Sequence, residues 1–142
     1  MENSVNWVMG ISVAGLCGVW LRVLFVSWLV PWLCGSVAPW VAVAIVNVLG
    51  CLLIGYFYAL LMGKSESAHW LAWKAPITLG FLGGFTTFSS FAWDAFSLYQ
   101  QWRSTAQQEV LVQLAVTLLL QPLLGVLAVG VGFWGGKYLL VR

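Results

Sequence analysis

Gly80-Phe81-Leu82-Gly83-Gly84-Phe85-Thr86-Thr87-Phe88-Ser89-Ser90-Phe91 interrupts a long apolar run with paired glycines and then sets four hydroxyls among phenylalanines. A segment that only spans lipid has no use for such a pattern. Glycines loosen a helix and expose backbone carbonyls, and Thr and Ser hydroxyls offer donors without full charge. Within a bilayer, non-helical backbone is tolerated only where protein buries it or water reaches it. The stretch therefore predicts a broken helix, opened at Gly83 and Gly84, that lines a pathway or holds an ion.

Composition places the rest of the chain around this break. Of 142 residues, 62% are hydrophobic and 7% charged, with a mean hydropathy of +0.96. Soluble domains carry about 25% charged residues, so this chain cannot cover a water-facing surface. The fold class it predicts is an all-α membrane protein, a single four-helix transmembrane domain over residues 1–142 with a broken third helix. The expected spans are 7–30, 40–62, 75–99 and 110–134, each long enough for the roughly 30 Å of hydrocarbon that needs about 20 residues. The connections 31–39, 63–74 and 100–109 are too short for a soluble domain. Trp7, Trp28, Trp32, Trp40, Trp70, Trp73, Trp102 and Trp134 fall near span ends, where amphipathic rings prefer the headgroup region. The first span lacks a cationic leader and a small-residue cleavage site, so it reads as a retained helix.

A net charge of +2 is too small to suggest nucleic acid as a partner. An even number of spans puts both termini beside the second loop, with Lys64, Lys74, Lys137 and Arg142 facing Arg103 on the other side. That bias toward cytoplasmic termini is weak. Cys17, Cys34 and Cys51 cannot all pair and read as small packing residues. His69 is the only histidine and lies in a loop, so no metal-ligand set of His and Cys is present. With no nucleophile–base pair or paired carboxylates, the chain is not expected to be an enzyme.

Polar groups inside spans mark function, because lipid offers them no partner. Arg22 follows Gly15 and Gly18 on one helix face; it either snorkels toward the interface or forms an electropositive vestibule. Asn47 stands alone in an apolar helix, either as interhelical glue or as a pathway amide. Phe88 and Phe91 share a face and could turn their positive ring edges toward an anion, or simply pack. Gly83, Gly84 and Thr86 could hold a small cation through freed carbonyls. Asp94 lies one turn beyond Ser90, as a partner for Arg22, a proton sensor or a vestibule group. Gln113, Thr117 and Gln121 recur every four residues and predict one donor stripe along the last span, or a polar helix–helix seam; Pro122 follows them and frees a carbonyl one turn earlier.

The third-span motif, together with Gly15-x-x-Gly18-x-x-x-Arg22 and Asn47-x-x-Gly50, resembles the signature of Fluc-type fluoride channels, also called the CrcB family. The resemblance covers all four spans in order. It implies an antiparallel, dual-topology homodimer in the bacterial plasma (inner) membrane, with two pores that passively export fluoride. It also implies a structural, untransported Na⁺ held by backbone oxygens of Gly83 and Thr86. Asn47 would be the pore amide, Phe88 and Phe91 the pore phenylalanines, Ser89 or Ser90 nearby donors, and Arg22 the first-span arginine. The chain departs from the family pattern at Val43, where Thr is frequent, and at Asp94, where Glu is frequent. It departs again in the last span, where the Tyr and Ser positions match either Gln113 with Thr117 or Thr117 with Gln121. A small proton-coupled multidrug exporter has the same number of spans but needs a carboxylate in the first, which is absent here. A purely structural subunit leaves the polar stripe unexplained.

Overall fold

The computed structural model describes residues 2–34, 39–63 and 68–140, and all of its regular structure is helical. The first helix, α1, runs Glu2–Leu24, continues through a π-helical turn at Phe25–Leu29 and ends in Val30–Cys34. Helix α2 is Pro39–Gly63. Helix α3 comprises Ala68–Ala75, a π-helical segment Pro76–Leu82 and a last turn Gly83–Phe85. Helix α4 is Phe88–Thr105, and α5 joins Gln108–Ala115, π-helical Val116–Leu120 and Gln121–Leu140. The segments Val5–Trp32, Trp40–Leu61 and Gln108–Leu139 are long and apolar enough to cross a membrane unbroken. The third expected span is not, because it is divided between α3 and α4.

Two connections are shorter than the sequence suggests. Helix α3 already begins at Ala68, inside the segment expected to be a loop, and α4 continues to Thr105. Only Ala106 and Gln107 separate α4 from α5, with Ala106 in the left-handed region (φ 51°) and its N–H bonded to Trp102 O at 2.7 Å. Both extensions carry polar residues that pattern reading assigns to loops. A helix satisfies its own backbone, so it can run past the hydrocarbon edge at no penalty.

The helices pack as two close pairs, α1 with α3 and α2 with α5, the second being the more extensive. Lipid-soluble helices gain little from burying apolar side chains, so close backbone approach supplies the packing energy. The α2–α5 seam is built this way: a Cβ at Gly55 would collide with Val129 O, and one at Gly132 with Leu52 O. In the α1–α3 seam, a Cβ at Gly18 would strike Phe81 O and one at Gly84 would strike Gly15 O. Gly84 therefore serves contact with α1. Large apolar side chains on the outer faces, such as Trp32 and Leu119, are exposed, as suits a chain surrounded by lipid.

Two of the π turns have a visible cause. Pro122 has no N–H for the carbonyl four residues earlier, and Gln121 N–H bonds back five residues to Val116 O instead. Pro31 follows the turn in α1 in the same way, with Val30 N–H on Phe25 O.

Candidate functional site

The break between α3 and α4 falls on Thr86 and Thr87. Gly83 is helical (φ −64°, ψ −36°), whereas Thr86 (−84°, 158°) and Thr87 (−148°, 114°) are extended. The expectation that the glycines open the helix is thus corrected: β-branched threonines favour extended backbone, while Gly83 stays helical and Gly84 is occupied in packing against α1. Thr86 also closes the preceding helix, giving both its N–H (3.0 Å) and its hydroxyl (2.9 Å) to Leu82 O.

Groups from two other helices then hold the extended residues. Asn47 of α2 accepts Thr87 N–H on Oδ1 at 2.8 Å and donates Nδ2 to Thr87 O at 3.1 Å. Arg22 of α1 donates Nη1 to Thr86 O at 3.2 Å. The reach of Arg22 follows from Gly18, which seats α1 against Phe81 and Phe85 one turn earlier. Within this chain one donor of Arg22 is thus committed to the break. Among the described residues it forms no ion pair with Asp94, which is half-buried and has one carboxylate oxygen without a hydrogen-bond partner.

The N–H that an unbroken helix would give to Gly83 O is the one on Thr87, which goes to Asn47. Gly83 O is left without its helical partner, and Thr86 O keeps a lone pair beyond the one Arg22 takes. Carbonyl oxygens thus lose their helical partners around the break, and hard oxygen donors of this type suit a small cation.

Beside the break lies an open cleft of about 440 Å³ between α2, α3, α4 and α5, lined among others by Asn47, Gly83, Thr87, Phe88, Phe91 and Gln121. The rings of Phe88 and Phe91 are 5.6 Å apart between centroids and inclined at 41°. Phe88 is 79% exposed. Such a ring, next to a polar break, has its wall missing on one side. Cys51, one turn after Asn47, also lines the cleft, and its thiol is free, as is that of Cys17.

The expected stripe on the last span does not form. Gln121 reaches the cleft, 8% exposed and with no hydrogen bond from its side chain among the described residues. Thr117 is 1% exposed and donates its hydroxyl to Gln113 O at 2.9 Å, back into its own helix. The π turn at Val116–Leu120 contains Thr117. Its wider winding removes the four-residue register on which the stripe depended. Gln113 is half-buried outside the cleft wall.

Thr87 is the site residue that pattern reading missed. It is 9% exposed, bonded to Asn47 through its backbone and to Ser89 and Ser90 through its hydroxyl. Its position directly before Phe88, where a helix restarts, is the one sequence signal for it, since Thr is a favoured N-cap.

The family model for CrcB-like proteins, Camphor Resistance (CrcB), matches residues 9–135. The chain belongs to the CrcB family. The match takes in the break, both clamping side chains and the cleft. Relatives within this CrcB group include a fluoride-specific ion channel FluC of Rhizobium johnstonii, 40% identical over 96 residues, covering 68% of this chain and 74% of that protein. A fluoride-specific ion channel FluC of Stutzerimonas stutzeri is 34% identical over 101 residues, with the same shares. The fluoride-specific ion channel FluC 2 of Symbiobacterium thermophilum is 37% identical over 112 residues, covering 77% of this chain and 86% of its own length. As a CrcB protein with several apolar spans, the chain is a multi-pass protein of the bacterial inner membrane.

Proposed function

We propose that the chain is a fluoride channel that passively exports fluoride from the cytoplasm, a transport role and not an enzymatic one. The observation that carries this reading is the cleft, where uncharged donors and phenylalanine rings meet beside a clamped helix break. Fluoride is small and strongly hydrated, so a path for it must replace water ligands without holding the ion too firmly. Asn47 keeps one amide hydrogen beyond the bond to Thr87, Gln121 keeps both of its own, and Phe edges add weak positive potential. The cationic Arg22 is engaged with a backbone carbonyl and lies outside the cleft lining, whose donors are uncharged. The FluC relatives are named for fluoride, in agreement with this chemistry.

The open side of the cleft and the exposed Phe88 support a homodimer in which a second copy completes the path. The small charge difference between the two ends supports insertion in both orientations, hence an antiparallel pair. Reporters fused to the C-terminus, each active on only one side of the membrane, are expected to give signal from both sides. Signal from one side alone would exclude this arrangement.

Gly83 O and Thr86 O fit a structural Na⁺ as hard, neutral ligands. One chain supplies too few oxygens for a small cation, so such an ion would be shared with the partner copy. The ion would supply positive charge that ties the two breaks together.

The deciding experiment is release of fluoride from liposomes containing the purified protein. Fluoride is expected to leave rapidly while chloride is retained, and replacement of all Na⁺ by a bulky organic cation is expected to lower both flux and dimer recovery. Retention of fluoride by protein-containing vesicles would overturn the channel reading. Flux and dimer unchanged without Na⁺ would remove only the cation site.

A further inference from the structure

At the end of the molecule where α2 and α5 finish and α3 begins, two cations flank a pair of aromatic rings. The rings of Tyr58 on α2 and Phe133 on α5 lie 6.4 Å apart between centroids. Lys74 Nζ of α3 stands 5.8 Å from the Tyr58 centroid. Lys137 Nζ stands 4.9 Å from the centroid of Phe133 and 5.7 Å from that of Trp134. Ring faces carry the negative part of the quadrupole, so they hold both ammonium groups against the helices. Both lysines are nonetheless exposed, and among the described residues neither forms an ion pair. The acids whose side chains are described lie elsewhere, Asp94 within α4 and Glu109 at the start of α5.

We propose that Lys74, Tyr58, Phe133 and Lys137 form a docking surface for the headgroup of an anionic phospholipid. The same end exposes Trp73 and Trp134, and rings of this kind gather at the level of lipid headgroups. Anionic phospholipid is the counter-charge that a membrane offers to lysines at that depth. The surface also joins what the fold keeps apart. Lys74 belongs to the α1–α3 pair, whereas Tyr58, Phe133 and Lys137 belong to the α2–α5 pair. Lysine stems are long and flexible, so one headgroup before the rings draws in ammonium groups from both pairs. Thr78, whose hydroxyl bonds Lys74 O at 2.7 Å, and Val129, one turn before Phe133, line the cleft between those pairs. Bound lipid therefore steadies the cleft walls from one end. The proposal does not depend on which ion the cleft passes.

Purified protein in a neutral detergent is titrated with phosphatidylglycerol, or with zwitterionic phosphatidylcholine, while thermal midpoint and oligomeric state are followed. Phosphatidylglycerol is expected to raise the wild-type midpoint and phosphatidylcholine to leave it unchanged. In Lys74→Gln and in Lys137→Gln the half-saturating phosphatidylglycerol concentration is expected to rise about fivefold, the worth of one lysine at an anionic surface. With both substitutions the stabilisation is expected to vanish, while the midpoint without lipid stays near that of wild type. Arginine at both positions keeps the charges and is expected to restore the titration. Arg103→Gln, near the end of α4 at the opposite side of the bundle, removes the same charge and is expected to titrate as wild type. An equal loss in Arg103→Gln would overturn the proposal, because the lipid would then answer to net charge alone. A wild type indifferent to phosphatidylglycerol, or a double glutamine variant that still responds to it, would overturn it as well. If the lipid has no effect and the lysine variants instead change the oligomeric state, a second copy covers this surface and the proposal fails.

Discussion

Replacing Phe88 or Phe91 with isoleucine is expected to lower fluoride efflux by tenfold or more while the protein stays folded. Isoleucine keeps an apolar side chain of useful bulk but has no quadrupole. What is lost is the attraction between ring edges and the passing anion, about 1.4 kcal/mol for each tenfold change. Phe88 is mostly exposed and packs within the chain against the ring of Phe91, so its thermal midpoint should move only slightly. Phe91 is half-buried and contacts the ring of Phe88, so a modest drop accompanies its loss of flux. Efflux from proteoliposomes together with a thermal melt checks both claims. Efflux at the wild-type rate in both variants would show that the rings merely pack.

The second large effect is expected at Asn47. Leucine at this position has the volume of asparagine's neighbours in α2 but cannot bond Thr87. The Thr87 N–H and C=O would both lose their side-chain partner in a medium without water. At about 1–3 kcal/mol for each unsatisfied group, the break loses roughly 2–6 kcal/mol. Asn47→Leu should therefore abolish efflux and also lower the melting temperature and the yield of folded protein. That double loss distinguishes Asn47 from Phe88, whose removal costs conduction alone. A variant with the wild-type melting temperature would show that the break holds its shape without Asn47.

Much of this site could be read in the chain itself. Asn47 was open to two meanings, interhelical glue or pathway amide, and the geometry allows both: two bonds to Thr87 and a place on the cleft wall. Phe88 and Phe91 meet as their three-residue spacing requires. Arg22 was weighed as a snorkelling or vestibule residue, yet its donor ends on Thr86 O, sixty-four residues away. No local pattern announces such a partner. Thr87 escaped notice for the opposite reason: among four neighbouring hydroxyls, nothing in the residue type says which one the rest are bonded to.

The stripe at Gln113, Thr117 and Gln121 shows how a sound local rule fails. Four-residue spacing maps onto one face only if the winding stays near 3.6 residues per turn. Pro122 was legible as a perturbation, but its consequence, a π turn that buries Thr117 and brings only Gln121 to the cleft, depends on how the helix recovers its hydrogen bonds. The same holds for the glycines. Gly83 and Gly84 mark the right neighbourhood, while the extended residues are two threonines further on.

Sequence alone determined the solvent of this protein, its helical class and the segment in which a helix fails. These follow from the number of charges, the length of apolar runs and the clustering of glycine and hydroxyl residues, all of which are properties of neighbours along the chain. Tertiary structure alone decided the residues at which the helix opens and the carbonyls that come free. Those outcomes turn on which helix supplies the missing hydrogen-bond partner. In lipid, where water cannot substitute, the partners are Arg22 and Asn47, brought to Thr86 and Thr87 by helices distant in sequence.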